Sequence, residues 1–304
     1  MKRTQIVVIW PYHKPSSTDH LNALVDFIAE LRAEKSGEPI LIINRCAERW
    51  LSGTYRDSLR KAEMLGWDIH RVWSTDTCQS WLEGLGYAYT KISKQSSVLD
   101  SSVASMNGSY YYLIPADFHY ATPAGKTALA ETARQIELFP TTDFHMLLGE
   151  IQAKPEDFKE IMDRNVTWPL LKLWFPQQYQ ALRSITSKPR SEFIALTETM
   201  LQKVLCQRWL PYEQTLITLI RLVFEGNASK IRVYNLGPLE EDQPSHKFKE
   251  FITQAERMER ALRLCWRDVH ADLPTWAEEY QSLSERSQKL MRRILAIGRV
   301  NLFA

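Results

Sequence analysis

Apolar residues come first in short unbroken runs and later at helical spacing. Gln5 to Trp10 (QIVVIW) is a run rich in β-branched residues closed by Pro11, and Pro39 to Ile43 (PILII) is a second. Runs of this length and type predict strands buried on both faces, as in a parallel sheet. Between them Leu21, Leu24, Val25, Ile28 and Leu31 recur at helical spacing behind Thr18 or Asp19, either of which can cap a helix that Gly37 ends. A β-α-β order predicts parallel strands joined by a right-handed crossover.

The alternation continues. Tyr55 to Leu65 reads as a helix closed by Gly66, Trp67 to Val72 as a third strand, and Trp81 to Ile92 as a helix in spite of Gly84 and Gly86. After an Asn107-Gly108 turn comes the strand in SYYYLIPAD, then a helix from Pro123 to about Leu138 and a strand from Phe144 to Leu148 ended by Gly149. Beyond Pro155 the patterns are longer, helical, and interrupted at Pro169, Pro176 and Pro189. An apolar helix from Tyr212 to Phe224 precedes a strand from Lys230 to Asn235, and residues 247–304 are helical in pattern with a corner at Pro274. The expectation is an α/β fold with a doubly wound, mostly parallel sheet over residues 1–236 and a helical C-terminal extension, 237–304, packed on it.

Composition narrows the partners. The 304 residues are 44% hydrophobic, enough for a buried core, and Lys plus Arg number 38 against 36 for Asp plus Glu. No global field favours nucleic acid. Cys46, Cys78, Cys206 and Cys265 are scattered singly, which disfavours structural zinc and a disulfide framework and suits a reducing cytoplasm. The apolar run at Ile6 to Trp10 is too short for a signal-peptide core, and no run is long enough to span a bilayer. Over residues 285–304, Leu290, Ile294, Leu295 and Ile297 share the helix with Lys289, Arg292, Arg293 and Arg299. Peripheral contact with an anionic membrane is one reading; a helix packed on the domain with its charges in water is the other, and base rates favour it.

Ligands of open α/β sheets bind beyond the carboxyl ends of the strands, so the loops after Trp10, Ile43 and Ile114 should share one crevice. In YYLIPADFHYATP, Asp117 stands at a strand end. It can hold a divalent cation or simply cap the next helix, and His119 can join it or be a surface aromatic. Glu213 opens a helix after Pro211, where helix physics alone favours an acid. Trp168, Trp174 and Trp209 can stack on a sugar ring or belong to a core.

In order and context these segments resemble the family 2 type of nucleotide-sugar glycosyltransferase with the GT-A fold, which includes the dolichyl-phosphate mannose synthases. VVIWPYHKP places Pro11, Tyr12 and His13 at that family's first strand-end turn, and YYLIPAD matches its Asp-Ala-Asp signature at Ala116 and Asp117, with Pro115 in place of the first acid. Asn44-Arg45 stands where the family has nucleotide-holding acids, DFHMLLGE keeps a glycine at Gly149, and PYEQTLITLI puts Glu213 at the position of the usual catalytic base. The resemblance covers residues 5 to 236. It implies sugar transfer from a nucleotide-diphosphate donor to an unknown acceptor, with inversion. Pro11, Tyr12, His13, Asn44, Arg45, Ala116, Asp117 and Arg190 would bind the donor, Asp117 and His119 a Mg2+ or Mn2+ ion, and Glu213 would be the base, with Glu192 and Glu150 weaker candidates. The replaced acid leaves open a metal-independent enzyme in which Lys14, Arg45 or Arg190 meets the diphosphate, and also a non-catalytic nucleotide- or sugar-binding protein on the same scaffold.

Overall fold

The run YYYLIP at Tyr110–Pro115 is buried along its whole length because it is the fourth strand of seven. The computed structural model describes residues 4–10, 18–32, 40–44, 53–72, 77–98, 110–139, 142–206, 213–241 and 247–303. Within them run β1 (Thr4–Trp10), β2 (Ile40–Asn44), β3 (Asp68–Val72), β4 (Tyr110–Pro115), β5 (Met146–Ile151), β6 (Ile194–Thr197) and β7 (Ile231–Gly237). They form one sheet in the order β3-β2-β1-β4-β6-β5-β7. β1 pairs in parallel with β2 and β4, β2 with β3, and β5 with β7, whereas β6 is antiparallel to both β4 and β5. The expected mostly parallel, doubly wound α/β sheet is present, with one reversed strand inserted.

The helices α1 (Thr18–Arg32), α2 (Gly53–Met64), α3 (Thr77–Val98) and α4 (Pro123–Leu138) alternate with the first five strands. On α1 the predicted stripe is the packed one: Leu21, Leu24, Val25 and Ile28 are buried against Ile6, Val8, Tyr112 and Ile114 in a single core. After the sheet's first half come α5 (Phe158–Met162), a π-turn (Asp163–Thr167), α6 (Trp168–Trp174), α7 (Pro176–Ile185), α8 (Glu198–Cys206), α9 (Gln214–Phe224), α10 (Lys247–Val269) and α11 (Trp276–Phe303). Pro176 does break the helical run, because the residue before a proline is pushed out of the α region; Phe175 has φ −135° and ψ 65°. Pro169 does not: it sits in the first turn of α6, where its missing N–H is tolerated. Pro274 falls in the corner between α10 and α11.

Two compact units interleave along the chain. One comprises Met1–Gln152, Ser191–Arg208 and Ser229–Asp242 and holds the sheet; the other comprises Ala153–Arg190, Trp209–Ala228 and Gln243–Ala304 and is helical where described. The division expected at residue 236 follows chain order, whereas residues 153–190 and 209–228 group with the C-terminal helices.

Within the helical unit Trp174, Phe175, Leu219, Ile220, Met258, Leu262 and Trp266 are buried. Trp168 and Trp174, candidates for stacking on a sugar, are packed into this unit instead, at 7% and 1% exposure; Trp209 lies outside the described residues. The α11 helix bears on the two readings of residues 285–304. Ile294 is buried and Gly298 abuts the Phe251 ring of α10, so this part of the stripe packs on a neighbouring helix, while Leu290 and Leu295 are half-buried and Ile297 is exposed. Among the described residues no helix is long and apolar enough to cross a membrane.

Candidate functional site

The turn that leaves β4 is held from several sides within the sheet unit. The Tyr120 hydroxyl donates to the Pro115 carbonyl at 2.6 Å, the His119 amide donates to the Glu240 carbonyl at 2.9 Å, and Phe118 forms an antiparallel bridge with Glu241. Burial, and then the negative charges of Asp117 and Glu192, push the Tyr120 phenol well above its ordinary value, so it remains a donor. The following helix is capped by Thr122, whose Oγ1 accepts from the Gly125 amide at 3.0 Å, with Pro123 in the first turn. Gly125 has no room for a side chain: a Cβ there would lie 2.3 Å from the His119 carbonyl oxygen and 2.4 Å from the Tyr120 Cα.

The cap therefore belongs to Thr122 and not to Asp117. It is 2% exposed, and its carboxylate converges with those of Glu192 and Glu241, one oxygen of each lying within 4.8 Å of the others. Topology explains the meeting. Asp117 follows the carboxyl end of β4 and Glu241 lies past the carboxyl end of β7, while Glu192 precedes the start of β6, which runs in the opposite direction and so begins at that same edge. Three carboxylates this close repel unless protons or a cation intervene, and an all-oxygen donor set suits Mg2+ or Mn2+. Of these three, sequence reasoning had only Asp117 as a ligand, with His119 expected beside it. Glu192 and Glu241 become legible once β6 is known to be reversed and Glu241 to bridge Phe118.

His119, expected beside Asp117 as a ligand, is not part of this converging set. Its Nδ1 lies 3.4 Å from Glu240 Oε2, and its ring stacks on His20 with centroids 4.6 Å apart and planes 15° from parallel. Ala116 is buried behind the turn. Pro11, Tyr12, His13, Lys14 and Arg45 lie outside the described residues, as does the Asn44 side chain at the end of β2.

Glu213 and Arg190 meet inside the helical unit. Glu213 precedes α9 with left-handed backbone, φ 52° and ψ 47°, and is buried. Arg190 Nε donates to Glu213 Oε2 at 3.1 Å and its Nη2 to Oε1 at 3.4 Å, while Arg257 Nε donates to Oε1 at 3.2 Å. Arg190 Nη2 also donates to Gln254 Oε1 at 2.7 Å, and Nη1, buried, has no acceptor among the described residues. Burial alone would raise the Glu213 pKa, but the charges and hydrogen bonds of Arg190 and Arg257 outweigh it and hold the carboxyl below its ordinary value. That counts against the expected base, since a carboxylate shared by two guanidinium groups takes a proton poorly. Asp163, buried on the π-turn and accepting from Thr167 at 3.1 Å, is pushed up to about 6 by burial, partly offset by Arg190.

No protein-family model matches the chain, and comparison with curated proteins gives no match. Solved structures do match. Glucosyl-3-phosphoglycerate synthase from Mycobacterium tuberculosis, in complex with phosphoglyceric acid, is 14% identical with a TM-score of 0.53, the match covering 86% of this chain and 79% of that one. The same synthase with Mn2+, uridine-diphosphate-glucose and phosphoglyceric acid gives 14% and 0.51 with the same coverage. With Mg2+ and uridine diphosphate it gives 15% and 0.51, again over 86% and 79%. At this identity the likeness establishes the fold, a GT-A-like doubly wound sheet. The dolichyl-phosphate mannose synthase branch named by the motif order is not among these structures.

Proposed function

We propose that the chain is a glycosyltransferase that takes a sugar from a nucleoside-diphosphate donor bound at the carboxyl edge of the sheet. The observation that carries this reading is the convergence of Asp117, Glu192 and Glu241 at that edge, in a fold similar to that of a synthase crystallised with Mn2+ and uridine-diphosphate-glucose. A Mg2+ or Mn2+ ion held by the three carboxylates would supply positive charge to the departing diphosphate. Tyr120, Thr122 and Gly125 keep the Asp117 turn in one conformation, so the carboxylate needs little reorganisation to bind. His119 acts beside this set through Glu240 and His20 rather than as a ligand.

Glu213 serves as the counter-ion that aims Arg190 and Arg257 within the helical unit. Phosphoglyceric acid, bound by the similar synthase, belongs among the acceptors tried. The test is a nucleoside-diphosphate release assay with uridine-, guanosine- and adenosine-diphosphate sugars, Mn2+, and acceptors that include phosphoglyceric acid. Release that depends on both acceptor and Mn2+ is expected, and its absence across the panel would remove the catalytic reading.

A second reading, binding without turnover, rests on Pro115 in place of an acid and on the engagement of Glu213 by two arginines. Donor binding by calorimetry with no release under any acceptor would select it.

A further inference from the structure

His20 has no role in the chemistry above, yet it reaches the turn that carries Asp117 from a different element. It lies in the first turn of α1, and its Nδ1 accepts a hydrogen bond from the Ala121 amide at 3.1 Å. That bond places the ring proton on Nε2. The same ring lies flat on His119, which is tied in turn to Glu240 by its amide and by its Nδ1. Two rings thus join three pieces of chain: the start of α1, residues 117–121, and the segment after β7 that supplies Glu241.

From this geometry we propose that His20 is a positioning residue for the carboxylate site, setting through Ala121 and His119 the spacing between Asp117 and Glu241. The proposal rests on the carboxylate-site reading and adds to it a residue outside the three carboxylates. Pairs of groups that fix ligands in place are worth about 10- to 100-fold in metal affinity when removed. The turn's other restraints, the Tyr120 hydroxyl and the Phe118 bridge, fix it to β4 and to the β7 exit. The His20 bond ties the turn to the helix that follows β1, the strand whose carboxyl end also faces the site.

The experiment compares wild type, His20→Ala and His20→Asn in the full chain. Asn places its side-chain oxygen about where Nδ1 sits, so it keeps the acceptor for Ala121 and loses the stacked ring. Two measurements are made: amide hydrogen exchange at Ala121 without metal, and Mn2+ titration by calorimetry in the presence of uridine diphosphate. His20→Ala should speed exchange at Ala121 and weaken Mn2+ about 10-fold or more, and His20→Asn should recover most of both. Faster exchange with unchanged Mn2+ affinity would make His20 a structural tie only and overturn the proposal, as would unchanged exchange. Absence of Mn2+ binding in wild type, with exchange still responding to His20→Ala, would instead remove the carboxylate-site reading and the positioning role with it, leaving the tie itself in place.

Discussion

Glu192 and Asp117 bring carboxylate oxygens within 4.8 Å of each other across two neighbouring strands that run in opposite directions. Neither position alone defines a cation site, since a strand-end aspartate is common and Glu192 lies on a connection. On the proposed reading their meeting with Glu241 does, and it predicts a graded loss. Asp117→Asn should abolish measurable Mn2+ binding, because it removes the buried member of the set, and Glu192→Gln should weaken it by about the 10- to 100-fold known for supporting ligands. Calorimetric titration with Mn2+ and uridine diphosphate reads both, and equal affinities in all three proteins would refute the site.

The sheet was legible because its strands are written in a pattern that only a doubly covered sheet explains: QIVVIW, PILII and YYYLIP carry no polar face. The reversed strand β6 was not, for a physical reason. IALT is four residues long, too short for any period to show, and its direction is set by pairing with both β4 and β5 rather than by its own residues. Missing β6 meant missing Glu192 as a partner of Asp117. Glu241 was hidden because its place depends on long-range pairing of the segment after β7 with the turn after β4, at Phe118 and His119. Glu213 was singled out as the base, but nothing in the chain's pattern signals that Arg257, far along on α10, joins Arg190 in holding it. Ionic partners on separate helices leave no spacing signature.

Capping and close approach at the start of α4 can be separated by two substitutions. Thr122→Ala removes the acceptor for the Gly125 amide and should lower stability by about 1 kcal/mol. Gly125→Ala drives a methyl group into backbone atoms of His119 and Tyr120 that cannot rotate away. A loss of about 3 kcal/mol is expected, with weakened Mn2+ binding because the same backbone carries Asp117. Urea unfolding measures the first effect and calorimetry the second; a Gly125→Ala protein as stable as Thr122→Ala would show that the turn yields.

Glu213→Gln should destabilise the protein at neutral pH by about 3 kcal/mol, because it leaves Arg190 and Arg257 buried without their counter-charge. The pH dependence fixes the cause. The folded-state pKa of Glu213 is depressed below the ordinary 4.5, so its contribution is complete above that value and is lost as pH falls through the folded pKa. The gap between wild type and Glu213→Gln, followed by chemical unfolding, should therefore be flat from pH 7 to 5 and close below 4.5. A gap that stayed constant into acid would point to lost packing instead.

Asp163 is the opposite case, and the sign reverses with it. Its folded-state pKa is pushed from 3.8 up to about 6, chiefly by burial, so between those values the native state holds a proton that the unfolded chain has released. Stability from this group is therefore greatest in acid and declines as pH rises from 3.8 to about 6, after which the cost is constant. Asn keeps the shape and an acceptor for Thr167 without the charge. Asp163→Asn should match wild type near pH 4 and exceed it by about 1–3 kcal/mol above pH 6, with Arg190 limiting the gain because it partly stabilises the ionised form. Unfolding free energies at pH 4, 5, 6 and 8 decide it: a variant less stable than wild type at pH 8 would mean that the Arg190 charge outweighs burial and that Asp163 is ionised in the folded protein well below pH 6.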